Sequence, residues 1–441
     1  MSDLFGTDGV RGKAGEFLTA ELATSLGRAA ALGSESDRPR VLIVRDTRES
    51  GPMLASALAA GICEGGGDAI QGEVLPTPAA SILVRKLGFD LGAVVSASHN
   101  PFEDNGIKFF GPDGGKLTDQ AQENMTALVS DPGVVGGGKP PIGRVLELEG
   151  GLGDYLREVG VSFPLDLSGM TVVLDCANGA TFRAGPEAFR QTGAEVVEIF
   201  TEPDGKNINL GCGSQHPEAL SSAVEENGAA VGFAFDGDGD RVVAVDGSGR
   251  VYDGDELLAI VGRSLSSSGD LGGGIAVTVM SNFGFRRAMA EAGIEITETP
   301  VGDRHVAAAL TERDWQLGGE QSGHIIWRRF SPTGDGIAAA LLLLSALAGK
   351  PLAGAESFER LPQGLRNVEI SDPAAVDGAE SLWAEVAAVE EDLAGEGRVL
   401  VRKSGTEPLL RIMVEAPGED RCAELLERLV AVATAELSPT A

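Results

Sequence analysis

Gly92-Ala-Val-Val-Ser-Ala-Ser-His-Asn-Pro101 decides how the chain is read. Gly92 to Val95 is short, apolar and β-branched, the signature of a buried strand. The strand stops in small polar residues, and Pro101 cannot extend a ladder and biases Asn100 away from helix. Ser98 is therefore expected on a tight loop at the carboxyl end of a strand, where open α/β sheets bind ligands. Taken alone, Ser-His-Asn-Pro is an ordinary turn. The following run, Phe102 to Phe110, brings Lys108 close in sequence to Ser98, and a lysine near a serine suits phosphate binding or proton transfer.

Outward from this stretch the same unit recurs. Val41 to Val44 leads into Asp46-Thr-Arg-Glu-Ser-Gly51, Thr171 to Leu174 into Asp175-Cys-Ala-Asn-Gly-Ala180, and Ile275 to Val279 into Met280-Ser-Asn-Phe-Gly284. Each is followed by a Gly- and acid-rich loop, around Ser98, at Asp236 and at Glu320. Three related α/β layers, each offering a loop at its strand ends, are the expected architecture. Helices are expected over Leu18 to Leu32, Met53 to Gly61 and Ile337 to Ala348. The last of these is the longest apolar run and too short to span a bilayer. Gly133 to Gly143 reads as a linker or hairpin, and Gly247 with Gly249 as a second boundary. A third falls near Leu361-Pro-Gln-Gly364. Beyond it, a helix over Ala379 to Leu393, strands over Arg398 to Val401 and Leu409 to Val414, and a helix from Asp420 to Leu437 make a small α+β domain. The domains are thus expected at 1–148, 149–247, 248–361 and 362–441.

At 441 residues the chain exceeds one ordinary core. A net charge of −31 excludes a phosphate backbone as a natural partner, so no nucleic acid is expected. Only 8 of the 35 basic residues are Lys; a salty environment or simple solubility would each account for such a surface. An anionic substrate must then be captured by local Arg and Lys. The four cysteines lack a Cys-x-x-Cys pair, which suggests reduced thiols and a cytoplasmic location. The N-terminus has no apolar signal core, and no membrane association is expected.

Three loops carry chemistry besides that of Ser98. In Phe235-Asp-Gly-Asp-Gly-Asp-Arg241, Asp236, Asp238 and Asp240 alternate with glycines and can fold round one hard cation. They leave positions open, as Mg²⁺ prefers when it must also touch a phosphate. Gly318-Gly-Glu-Gln-Ser-Gly-His324 offers hydroxyl-reading groups suited to a sugar, and Val301-Gly-Asp-Arg304 adds Asp303 and Arg304 as a further polar loop. Arg402-Lys-Ser-Gly-Thr-Glu-Pro-Leu-Leu-Arg411 combines two Arg with Ser404, Gly405 and Thr406 as a phosphate cradle between strands. It is not a Walker loop, since no Gly-Lys pair is followed by Ser or Thr.

Together these segments resemble the α-D-phosphohexomutase family. The resemblance rests on FGTDGVRG (5–12), DTRESG (46–51), SASHNPFEDNGIKFF (96–110), DGDGDR (236–241), VGDR (301–304), GGEQSGHII (318–326), TGDG (333–336) and RKSGTEPLLR (402–411), in the family's order along the whole chain. His305 departs from the family, where Tyr is expected. The resemblance implies α/β architecture: three related layered domains with mixed sheets plus a smaller C-terminal α+β domain around a central cleft. It implies a phosphoserine at Ser98, which joins Asp236, Asp238 and Asp240 round one Mg²⁺, with Arg241 neutralising the moving phosphoryl group. Lys108, Arg11 and His324 would position or transfer protons, Lys108 foremost. Glu320 and Ser322 would hold the sugar, with Asp303 and Arg304 also binding substrate. Arg402, Ser404, Gly405, Thr406 and Arg411 would grip the non-reacting phosphate. The motifs point to the amino-sugar branch, interconverting glucosamine 6-phosphate and glucosamine 1-phosphate, with glucosamine 1,6-bisphosphate or a similar sugar bisphosphate as activator. Glucose or mannose phosphate as substrate, or a non-catalytic sugar-phosphate-binding protein, are the alternatives. A homodimer stays open.

Overall fold

The computed structural model describes residues 4–6, 8–131, 141–404 and 408–438. These form two compact units, one running to Met280 and resuming over Ile294–Glu356, the other made of Ser281–Gly293 with the chain from Ser357 onward.

The first unit contains three mixed sheets. The first holds β1 (Val10–Lys13), β2 (Arg40–Arg45), β3 (Asp68–Val74), β4 (Leu91–Val95), β5 (Asp104–Phe110) and β6 (Val145–Glu147), in the order β1-β5-β4-β2-β3-β6. The second holds β7 (Thr171–Asp175), β8 (Glu195–Ile199), β9 (Val231–Phe235), β10 (Val242–Asp246) and β11 (Val251–Tyr252), ordered β11-β10-β9-β7-β8. The third holds β12 (Gly274–Thr278), β13 (Glu295–Thr299), β14 (Leu317–Gly319) and β15 (Ile325–Trp327), ordered β13-β12-β14-β15.

One device is repeated in all three. A buried strand lying parallel to its inner neighbour turns back into an antiparallel partner. Val95 pairs with Ile107 across the Ser98 loop, Phe235 with Val242 across the acidic loop, and Gly319 with Ile325 across the Glu320 loop. The strands are apolar on both faces because helices cover both faces, as parallel sheets require. Each carries a glycine at the same place, Gly92, Gly232 and Gly318. A Cβ there would meet Val84 at 2.7 Å, Val224 at 2.5 Å and Ala276 O at 2.7 Å with Val306 at 2.8 Å, respectively. Side chains are excluded so that helix and strand can close up.

The helices sit where the apolar periodicity puts them, with ends set by capping. The helix expected from Leu18 begins at Ala20, since the Thr19 hydroxyl accepts the Leu22 N–H at 3.2 Å. The apolar run after Asp335 forms helix Gly336–Leu347, capped by the Asp335 carboxylate. The turn at Gly247–Gly249 is a hairpin within the second sheet. Gly249 N–H donates to Asp246 C=O at 2.9 Å, and β11 pairs with β10. Most of the expected 133–143 linker lies outside the described residues; just after it, β6 adds a parallel edge to β3.

The second unit is built on an antiparallel sheet of β16 (Gln363–Glu369), β17 (Arg398–Lys403) and β18 (Leu409–Glu415), ordered β16-β18-β17. Helices Glu380–Leu393 and Glu419–Leu437 pack on it through Leu382, Val389, Leu425 and Leu429. Helix Phe283–Glu291 also belongs to this unit. Asn282 exchanges hydrogen bonds with Leu361, donating to its C=O at 3.0 Å and accepting its N–H at 3.1 Å. Phe283 N–H reaches Glu415 at 3.2 Å.

Candidate active site

Ser98 stands at the end of β4, buried, with a left-handed backbone at φ +53°. Its hydroxyl donates to Asp236 Oδ2 at 2.6 Å and lies 3.2 Å from His99 Nδ1. Burial, followed by the positive Arg241 and Arg11, pulls the His99 imidazole down to about 4, so it stays neutral.

Asp236, Asp238 and Asp240 come together after β9, buried, each offering a ligand oxygen within 4.8 Å of the others. Asp238 Oδ1 and Asp240 Oδ1 are buried without a hydrogen-bond donor. Burial and the neighbouring Asp240 and Asp238 push the Asp236 carboxyl well above its ordinary value. Two orphaned oxygens beside a carboxyl that resists ionisation mark a site short of positive charge. A divalent cation preferring oxygen fits it.

Lys108 projects from β5 into the same cluster, its ammonium 2.8 Å from Asp238, 3.0 Å from Asp8 and 3.8 Å from Asp240. Burial opposes its charge, yet Asp238, Asp8 and Asp240 outweigh that and raise it above the ordinary lysine value. The Thr77 hydroxyl, at the start of helix Thr77–Leu87, donates to Asp238 at 2.6 Å. Arg11 is paired with Asp8, which Lys116 also holds. Lys116 reaches on to Asp303 at 2.5 Å. The first sheet is thereby tied to the loop before helix Asp303–Arg313.

The Arg241 backbone N–H donates to Asp236 at 3.1 Å, while its buried Nε makes no hydrogen bond and lies 3.9 Å from Asp240 Oδ1. His324 Nδ1 lies 3.6 Å from Asp240 and Nε2 3.4 Å from Asp303. Burial lowers the ring's basicity, but Asp240 and Asp303 carry it up to about 9. Gly334 N–H points at Nε2 at 3.0 Å, which favours the neutral ring with its proton on Nδ1. A cation on Asp240 would offset the charge that raises the ring. Glu320 accepts Gly302 N–H at 3.2 Å, Arg304 pairs with Asp119 at 2.9 Å, and Ser322 is exposed.

In the second unit Arg402 and Arg411 are directly opposed on β17 and β18. Like charges so placed repel. Burial and then Arg411 lower the basicity of Arg402. Ser404 Oγ is buried without a partner, its N–H closing the hairpin on Leu409 C=O at 2.8 Å. Gly405 and Thr406 lie outside the described residues. The hairpin can take an anion.

Residue types and spacing alone did not single out Arg48 or the Tyr155–Asp335 pair. Arg48 is completely buried, paired with Asp46 at 2.8 Å. It donates to the carbonyls of Ser98 and Asn100 at 2.8 Å each and of Asp104 at 2.9 Å, and also to Pro101. Asp46 ends β2, the parallel neighbour of β4, and that adjacency was the available signal. Tyr155 O–H donates to Asp335 at 2.9 Å; burial leads in raising that carboxyl to about 6. Gly336 N–H then bonds Gly239 C=O at 2.9 Å, bracing the acidic loop.

A buried serine, an acid triad and a separate arginine hairpin define a phosphoryl-transfer fold of the phosphohexomutase kind. The chain belongs to the phosphoglucomutase/phosphomannomutase family, matching its alpha/beta/alpha domain I over residues 2–132, domain II over 154–249, domain III over 253–363 and the C-terminal domain over 365–432. It is 49% identical, over 98% of both chains, to the phosphoglucosamine mutase of Desulforudis audaxviator. With that of Mycolicibacterium vanbaalenii it shares 48% over 99% of this chain and all of the relative. A crystal structure of a phosphoglucomutase/phosphomannomutase family protein from Burkholderia thailandensis superposes with a TM-score of 0.82 at 25% identity, covering 99% and 98% of the chains. The fold is shared with Aspergillus fumigatus N-acetylphosphoglucosamine mutase, solved with GlcNAc-6P and magnesium, at a TM-score of 0.65, 17% identity and coverage of 98% and 96%.

Proposed function

We propose that this chain is a phosphoglucosamine mutase, interconverting glucosamine 6-phosphate and glucosamine 1-phosphate through a phosphorylated Ser98. One observation carries the reading: the Ser98 hydroxyl is held 2.6 Å from a carboxylate of a buried acid triad whose ligand oxygens all lie within 4.8 Å of one another. The near-full-length likeness to relatives named phosphoglucosamine mutase supports the amino sugar over glucose or mannose phosphate.

Asp236, Asp238 and Asp240 would hold one Mg²⁺, together with the Ser98 phosphate. When bound, the ion neutralises charge on the transferring phosphoryl group, the main demand of such chemistry. In the transfer the bond between phosphorus and Ser98 Oγ breaks as a bond to the sugar oxygen forms, and the proton given up by the sugar hydroxyl ends on Ser98 Oγ, restoring the free serine. The return transfer from the other sugar oxygen recharges the serine. Arg241, with an Nε seeking an acceptor, would bind the moving phosphate. Lys108 is held protonated, so its proton-transfer role is that of a donor, and Asp8 fixes both it and Arg11. His324, between Asp240 and Asp303, would orient the substrate near Glu320, Ser322 and Arg304. Arg402, Ser404, Gly405, Thr406 and Arg411 would grip the phosphate that does not react. A sugar bisphosphate would charge Ser98 initially. The cytoplasm is the expected compartment, in keeping with four unpaired, buried cysteines. Among the described residues no helix is long and apolar enough to cross a membrane.

A coupled assay comparing glucosamine, glucose and mannose 6-phosphates tests the reading. Preference for glucosamine by about 10²-fold in kcat/KM is expected, at the lower end of polar recognition. Equal or better use of glucose or mannose phosphate would reassign the chain within its family.

A further inference from the structure

Ser98 occupies the left-handed region at φ +53°, which a side-chain-bearing residue keeps only where its surroundings impose it. The imposing contacts converge on the Ser98 carbonyl. Arg48, from the first sheet's own layer, donates at 2.8 Å. The second donor is the Asn209 amide at 2.9 Å, which also reaches the Asn100 carbonyl at 3.2 Å. Asn209 belongs to the segment between β8 and helix Glu218–Asn227, so it comes from the second layer. It is itself left-handed, at φ +59°, and its N–H is tied to Ala177 C=O at 2.9 Å. The metal loop closes on the same point. A Cβ on Gly237 would lie 2.5 Å from Ser98 O and 2.8 Å from Asn209 Nδ2.

We propose that Asn209 is a positioning residue for phosphoryl transfer: its amide holds the Ser98 peptide so that Oγ faces Asp236, which makes the serine's competence depend on the second layer. The inference rests on Ser98 being the phosphoryl carrier. Asparagine meets both demands of the position, since it tolerates the left-handed backbone and its NH₂ carries two donors for two carbonyls. Aspartate would keep the shape and turn oxygens towards those carbonyls. Glycine would keep the backbone and lose the donors.

The test uses the full chain with Mg²⁺. Wild type, Asn209→Asp and Asn209→Gly are incubated with glucosamine 1,6-bisphosphate, and phosphate on Ser98 is followed by intact mass over time. Steady-state kcat and KM and thermal melting are measured alongside. Both variants should charge Ser98 at least ~10-fold more slowly, with kcat falling in parallel and KM within about twofold of wild type, because misplacement of a reacting group falls on the transfer step. Charging and kcat at wild-type levels in whichever variant folds overturn the proposal, as does a lowered melting temperature with unchanged rates. If wild type itself takes no phosphate on Ser98, the carrier reading fails and the proposal with it.

Discussion

The Ser98–Asp236 site and the Arg402–Arg411 hairpin concentrate charge of opposite sign. The first crowds three buried carboxylates around one lysine and is short of positive charge. The second opposes two half-buried guanidiniums across strands, a local concentration of positive charge. The first is locked by contacts from both other layers of its unit, Lys108 and Thr77 from the first and His324 from the third. A phosphate that must react needs charge held rigidly where bonds change, whereas one that must only be kept needs a fork of donors. Local charge suited to a phosphate's needs, negative round a cation in one place and positive in the other, is the shared principle.

Substitutions can break this contrast. Ser98→Ala removes the phosphoryl acceptor, so turnover should fall by at least ~10⁴-fold, on the scale seen when a nucleophile is deleted. Intact mass should show no phosphate gain from a sugar bisphosphate, and residual turnover near wild type would end the covalent reading. Asp238→Asn keeps shape but removes a charge that Lys108 also needs, and kcat should drop ~10²–10³-fold, as for loss of one preorganised electrostatic contact. Titration with Mg²⁺ should show a weakened metal requirement, while an unchanged one would separate Asp238 from the cation. Arg411→Ala should raise KM about tenfold, with a smaller fall in kcat, and leave Ser98 charging possible. Charge-assisted phosphate contacts of this kind contribute roughly 1.5–3 kcal/mol. A loss confined to kcat would move the hairpin into the chemistry.

The smallest effect concerns pH. The Asp236 carboxyl is raised, so without metal the folded chain holds a proton that the unfolded chain releases in the ordinary carboxylate range. That contribution to stability is lost as pH rises from there through the raised value. Binding of Mg²⁺ requires the ionised form, so the gain in melting temperature on adding Mg²⁺ should grow with pH. At a hundredfold excess over Kd the gain corresponds to about 2.7 kcal/mol. Calorimetry at several pH values checks it. The gain should vanish in Asp238→Asn and persist in Arg411→Ala, and a gain that is flat with pH would contradict the proton on Asp236.

Much of this was legible in the residues. Gly92 to Val95 and Ala229 to Phe235 read as buried strands because helices cover both faces, leaving unbroken apolar runs. Asp236, Asp238 and Asp240 read as ligands because glycine spacing lets neighbouring carboxylates converge. What escaped depends on tertiary placement. Arg48 looks like any surface arginine until the parallel pairing of β2 with β4 puts it under the Ser98 loop. Asn209 is separated from Ser98 by 111 residues, and only the stacking of layers reveals their contact. Lys108 was read as a proton-transfer partner from proximity in sequence. The acids that hold its ammonium, Asp8 and Asp238, come from other segments, which proximity does not disclose.

The discontinuity of the second unit has a consequence for biosynthesis. Helix Phe283–Glu291 leaves the ribosome well before β16, β17 and β18 exist, yet its packing partners include Phe358, whose ring meets Phe285 at 5.8 Å. Roughly sixty residues of waiting at about 5–20 residues per second means several seconds during which this helix has an exposed apolar side. Nascent chains arrested in that interval should recruit chaperones. A truncation ending near residue 361 would make the interval permanent, leaving the bonds of Asn282 to Leu361 and of Phe283 to Glu415 strained or broken. The last domain is therefore a poor unit to excise alone, because part of its packing was translated with its predecessor.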